Sequence, residues 1–141
     1  MKASDLFVRC LENEGVEYIF GVPGEENADF MLSLENSKKI QFVLTRHEQG
    51  AAFMAEVYGR LTGNPAGCLG TLGPGATNLI TGVADANLDR APLLALTGQG
   101  ASTRLHKESH QIMNVVEMFK PVTKWAQTVR HPDSIPEIVR K

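Results

Sequence analysis

Thr45-Arg46-His47-Glu48-Gln49-Gly50-Ala51-Ala52 places a carboxyl group where a strand gives way to a helix. Gln41-Phe42-Val43-Leu44 upstream is a β-favouring run, and Ala51, Met54, Ala55 and Tyr58 downstream recur at helical spacing. In open α/β sheets ligands bind at the carboxyl ends of strands, so Glu48 is placed to polarise a ligand or exchange a proton with one. Thr45-x-x-Glu48 equally fits a capping box, and an acid in a first helical turn suits the helix dipole. Two other patterns could carry chemistry. Gly73-x-Gly75 between a strand and a helix begins like a dinucleotide fingerprint, but Asn78 stands where its third glycine belongs, and Leu93-Leu94-Ala95-Leu96-Thr97 ends without a ribose-binding acid. His106 and His110 have the i, i+4 spacing of metal ligands on a helix, without an HExxH motif or an evident third ligand. A solvated loop is the expectation there, and no metal site is assigned.

The elements that must position Glu48 alternate between helix and strand. Leu6, Val8, Cys10 and Leu11 give a first helix an apolar side, which Gly15 ends. Strands are expected near 17–20, 41–44, 67–71 and 93–97. Gly21-Val22-Pro23-Gly24 forms a loop before a helix carrying Phe30, Met31 and Leu34. Gly59 and Gly63 loosen the end of the central helix, and another helix runs from Pro74 to about Leu88. Residues 98–110 are polar without apolar period, the pattern of a functional or mobile loop. Ile112, Val115, Val116 and Phe119 give a short helix stopped at Lys120-Pro121, followed by a strand candidate at 122–126 and a capping pattern, Ser134-x-x-Glu137. The βα alternation predicts an α/β fold, a parallel sheet with helices on both faces, in one domain spanning 1–141.

Composition narrows the function classes. The 141 residues are 43% hydrophobic and 21% charged, as in an ordinary globular domain. A net charge of −2 gives no electrostatic footprint for nucleic acid or an anionic membrane. Cys10 and Cys68, far apart and without CxxC, read as buried thiols of a cytoplasmic protein. No apolar run approaches a membrane span of about 20 residues, and Met1-Lys2-Ala3-Ser4-Asp5 lacks a signal-peptide core.

Three ordered motifs, Phe20-Gly21-Val22-Pro23-Gly24, Arg46-His47-Glu48-Gln49-Gly50-Ala51-Ala52 and Gly73-Pro74-Gly75-Ala76-Thr77-Asn78, resemble the pyrimidine-binding domain of thiamine-diphosphate enzymes, acetolactate synthases above all. The resemblance covers essentially the whole chain. It implies that Glu48 is catalytic, bonding N1′ of the cofactor's aminopyrimidine and favouring its imino tautomer. It implies cofactor-binding roles for Pro23, Gly24, Thr71, Pro74 and Asn78, and a place for Gln111 at the substrate end of the pocket. Glu25-Glu26 departs from the small residues that many synthases carry there, as do the residues just before Gln111. The implied reaction decarboxylates pyruvate and joins the two-carbon unit to a second 2-oxo acid, a step of branched-chain amino acid biosynthesis. No Gly-Asp-Gly motif is present. Magnesium (Mg2+) and the diphosphate would then be held by a domain absent from this chain, and the expectation is an N-terminal fragment, inactive alone, of a longer protein. The resemblance leaves FAD in the full-length protein open and implies a homodimer or homotetramer whose sites are shared between chains. A 2-oxo acid decarboxylase domain, a stand-alone subunit like those of sulfopyruvate decarboxylases, and a non-catalytic association domain are the alternatives. The small residues Gly50, Ala51, Ala52, Ala55 and Gly59 are read as a surface for close approach, either by another chain or within the domain.

Overall fold

The computed structural model describes residues 1–141. Its centre is a four-stranded, all-parallel sheet in the order β2-β1-β3-β4, formed by β1 (Tyr18–Gly21), β2 (Gln41–Leu44), β3 (Ala66–Gly70) and β4 (Leu93–Thr97). All four lie within one residue of their expected positions. The register pairs Phe20 with Val43 on one side and with Cys68 on the other. Every residue of β3 is buried, which explains its small side chains, Ala66-Gly67-Cys68-Leu69-Gly70, between two helical layers.

One face is covered by α3 (Glu48–Thr62), α5 (Ile80–Asp89) and α6 (Val115–Phe119), around Ala51, Ala52, Ala55, Cys68, Leu79, Val83 and Phe119. The other is covered by α1 (Ala3–Asn13), α2 (Ala28–Glu35) and α7 (Ile135–Arg140), around Val8, Leu11, Ile19, Leu34 and Leu69. The expected two-sided α/β layering is therefore present. No helix is long and apolar enough to cross a membrane.

Four local expectations are corrected. The helix after Gly73 is two pieces, α4 (Pro74–Asn78) and α5, which meet at the fully buried Leu79. Residues 122–126 are not a strand: Lys120–Val122 forms a 3-10 turn, the Thr123 hydroxyl donates to the Phe119 carbonyl at 2.7 Å, and Val122 and Ala126 pack on the core as irregular chain. Ser134 does not close a capping box, because its hydroxyl donates back to the His131 carbonyl at 2.7 Å. Ile112 lies outside α6, whose cap is the Asn114 side chain accepting from the Glu117 N–H at 3.2 Å.

Candidate functional site

Three loops at the carboxyl ends of β1, β2 and β3 converge. The sheet turns both ways from β1, to β2 on one side and to β3 on the other, so this is the switch point at which an open α/β sheet leaves a crevice.

The first loop carries Pro23 and Gly24. The Gly24 N–H donates to Asn27 Oδ1 at 2.8 Å, and the buried Asn27 carboxamide reaches the Gly70 carbonyl at 3.5 Å, tying the loop to the end of β3. Asn27 was not foreseen in this role; its signal is an Asx residue three positions after a loop glycine. Pro23 and the acidic pair Glu25-Glu26 are exposed.

In the second loop the capping box is overturned. α3 begins at Glu48 itself, and its N-cap is His47, whose Nδ1 accepts from the Gln49 N–H at 3.1 Å. The Thr45 hydroxyl instead donates to the His47 carbonyl at 3.1 Å. Relieved of capping, the half-buried Glu48 side chain accepts from Asn78 Nδ2 at 3.0 Å through Oε2. This contact also explains why Asn78 stands where a dinucleotide fingerprint needs glycine.

The third loop supplies the floor. Gly73 adopts a φ of 53°, Pro74 is the exposed first residue of α4, and Gly75 is buried behind it. A Cβ on Gly75 would stand 2.5 Å from Thr71 Oγ1 and 3.4 Å from Glu48 Oε1, and one on Gly24 would stand 2.5 Å from Thr71 Cγ2. Gly24, Glu48, Thr71, Gly75 and Asn78 thus form one cradle, in which bare backbone faces a carboxylate. Nothing in the spacing of its motif singles out Gly75 for this place. Gln111 lies at the rim, with its Cβ and carbonyl oxygen each 2.7 Å from where a Gly73 Cβ would be. Only a residue without that Cβ lets the 98–111 segment close over the start of α4. His106 and His110 sit in that irregular segment, so their helical spacing does not bring them onto one face.

Four of the five small residues of α3 face inward, whereas Gly50 is half-buried with open space beside it. Ala51, Ala52, Ala55 and Gly59 are buried by this chain's own α5 and the Pro92 backbone, while Met54, Val57 and Leu61 form the exposed face.

The family described as thiamine pyrophosphate enzyme, N-terminal TPP binding domain, matches residues 1–118, and the chain belongs to it. Over 140 residues it is 43% identical to acetolactate synthase 3, chloroplastic, of Brassica napus, covering 99% of this chain and 22% of that protein. It is 40% identical to the acetolactate synthase of Bacillus subtilis (98% of this chain, 24% of that protein) and 41% identical to the glyoxylate carboligase of Escherichia coli O157:H7 (100% and 24%). The chain spans between a fifth and a quarter of the length of these curated relatives.

The cradle fits the ring portion of thiamine diphosphate. Glu48 Oε2 is engaged by Asn78 while Oε1 accepts no hydrogen bond within the chain, and the missing side chains at 24 and 75 let Thr71 pack closely against backbone beside that carboxylate.

Proposed function

We propose that this domain holds the aminopyrimidine of thiamine diphosphate for an acetolactate synthase-like enzyme, which decarboxylates pyruvate and joins the two-carbon unit to a second 2-oxo acid. The observation that carries the reading is the Glu48 carboxylate at the crevice, anchored by Asn78 through one oxygen while the other accepts no hydrogen bond within the chain. Thiamine diphosphate supplies a nucleophilic carbon and an electron sink for 2-oxo acids. Glu48 would hold a proton shared with the pyrimidine N1′, Asn78 fixes the carboxylate's orientation, and Gly24, Thr71, Pro23 and Pro74 shape the walls. Gln111, at the rim, would meet the substrate. The diphosphate and its Mg2+ fall to residues outside this chain. The exposed apolar face of α3, Met54, Val57 and Leu61, supports a homodimeric or homotetrameric assembly.

The glyoxylate carboligase relative supports a second reading, in which a different 2-oxo acid is decarboxylated. Hydrogen–deuterium exchange at C2 of thiamine diphosphate bound to the complete protein tests the role of Glu48, and turnover of pyruvate against glyoxylate separates the two reactions. Absence of cofactor binding, or normal C2 exchange in Glu48→Gln, would overturn the catalytic assignment.

A further inference from the structure

Helices α3 and α5 follow different strands of one parallel sheet and run side by side in the same direction, with α4 leading into α5. Contacts at nearly constant sequence offset join the two sides: Glu48 to Asn78, Ala52 to Gly82, and Arg60 to Asp89. At the middle contact a Cβ on Gly82 would stand 2.6 Å from Ala52 Cβ and 2.9 Å from the Phe53 nitrogen, so the backbones meet almost directly. Neither residue has a side chain beyond Cβ, so this contact sets how closely the helices approach and supplies no directional bond to fix their axial register.

The far contact does resist it. The Glu56 side chain is 2% exposed, and Arg60 Nε donates to its Oε1 at 2.6 Å. The same guanidinium bonds Asp89 and lies 3.9 Å from Asp85, both on α5. Oxygens of Glu56, Asp85 and Asp89 come within 4.8 Å of one another, but the Arg60 cation already occupies that space. The pairing holds the guanidinium firmly in its protonated form, first through the Glu56 hydrogen bond and then through the charges of Asp89, Glu56 and Asp85. Exposed ion pairs are ordinarily weak because two long side chains must be ordered to make them. Here a part-buried, charge-assisted bond to the buried Glu56 already orients Arg60 before it reaches α5.

We infer that Arg60 is a positioning residue for Glu48: by bridging α3 to α5, it sets the axial register in which Glu48 meets Asn78. The inference rests on the reading of Glu48 given above. A helix is a stiff rod with a rise of about 1.5 Å per residue, so displacement at Arg60 is carried along α3 to its first residue. A slide of about 1 Å along the donor–acceptor line, or about 2 Å across it, takes the 3.0 Å hydrogen bond out of range.

Removing Arg60 would strand the buried Glu56 charge and confuse stability with register. The test therefore acts from α5, in the complete protein, with Asp85→Asn/Asp89→Asn, which leaves the Glu56–Arg60 pair intact. The expected results are a Glu48–Asn78 separation beyond about 3.5 Å in the crystal structure of the cofactor-free variant and C2 exchange of bound thiamine diphosphate slowed roughly fivefold. Asp89→Glu, which keeps the bridge, should restore both. Asp89→Asn alone gives the same readings in weaker form if the double variant does not fold. An unchanged separation and exchange rate in a variant with lowered melting temperature would reduce the network to a stabilising one and overturn the inference. Glu48→Gln run beside it separates the two levels. If it too exchanges normally, the role of Glu48 fails and this inference with it; if it alone slows exchange, only the register role of Arg60 fails.

Discussion

Asn78 Nδ2 stands 3.0 Å from Glu48 Oε2, one helix terminus bonding another across 30 positions of sequence. The contact separates two roles that one glutamate could have. His47 caps α3, so Glu48→Gln should lower stability by no more than about 1 kcal/mol. The same change should slow C2 exchange of bound thiamine diphosphate by orders of magnitude. Thermal melting and deuterium exchange on one preparation measure the two effects together.

Replacing the neutral partner tests the electrostatics. In Asn78→Asp a second carboxylate would face Glu48, and like charges at that distance raise the pKa of at least one of the pair. The pH profile of cofactor-dependent exchange should then move to higher pH, whereas Asn78→Ser should slow exchange without that displacement. Rates measured across pH 5–9 distinguish the two.

Gly75→Ala puts a methyl group 2.5 Å from Thr71 Oγ1 on the wall of the cradle. Overpacking of that kind costs about 1–3 kcal/mol. Cofactor affinity, read by titration calorimetry on the complete protein, should fall at least about tenfold, since the methyl also presses on the Glu48 carboxylate that would meet the ring. Adding Thr71→Ala should recover much of the melting temperature but not the affinity.

Burial pushes the Cys68 thiol up to about 12. An unfolded cysteine ionises near 8.5, so the raised folded value leaves stability intact below that pH. Above it the unfolded state loses a proton that the folded state keeps, and stability falls with a slope approaching about 1.4 kcal/mol per pH unit. Urea melts between pH 7 and 10 should show the decline, and Cys68→Ala should lack it. In the native protein a thiol reagent should label Cys10, which is partly exposed, and reach Cys68 only after unfolding.

Leu61 is 79% exposed, and Val57 and Met54 share its side of α3. Leu61→Lys/Val57→Glu should shift the assembly of the complete protein toward smaller species in sedimentation velocity, while circular dichroism stays unchanged. An unaltered distribution would remove this face from the assembly contact.

The sheet was legible because each strand is a short β-favouring run bounded by glycine or helix signals, and β1 to β4 fell where expected. The cap of α3 was not, because Thr45-x-x-Glu48 and the one-residue-tighter cap by His47 present the same local pattern, and only the path of Thr45 after its pairing with Gly21 decides between them. Residues 122–126 misled for a related reason: Val122 and Ala126 pack on the core without any strand partner. Within the cradle, Glu48 and Asn78 could be named from the family resemblance of their motifs, but their bond could not, since it depends on how α3 and α4 pack. Arg60 gave no signal beyond an ordinary i, i+4 pair with Glu56, and its reach to Asp89 is purely tertiary.

The order β2-β1-β3-β4 gives the arms of the cradle unequal permanence. Gly24 and Thr71 follow β1 and β3, the interior strands, whose amides are flanked by partners on both sides. Glu48 follows β2, an edge strand with a single partner. Amide hydrogens of Ile19 and Cys68 should exchange with solvent only through global opening, and those of Phe42 and Val43 through smaller local excursions. The acid proposed to act on the cofactor is thus carried by the most readily released arm, and an occupant bridging it to the interior strands would protect β2 more than any other part of the sheet.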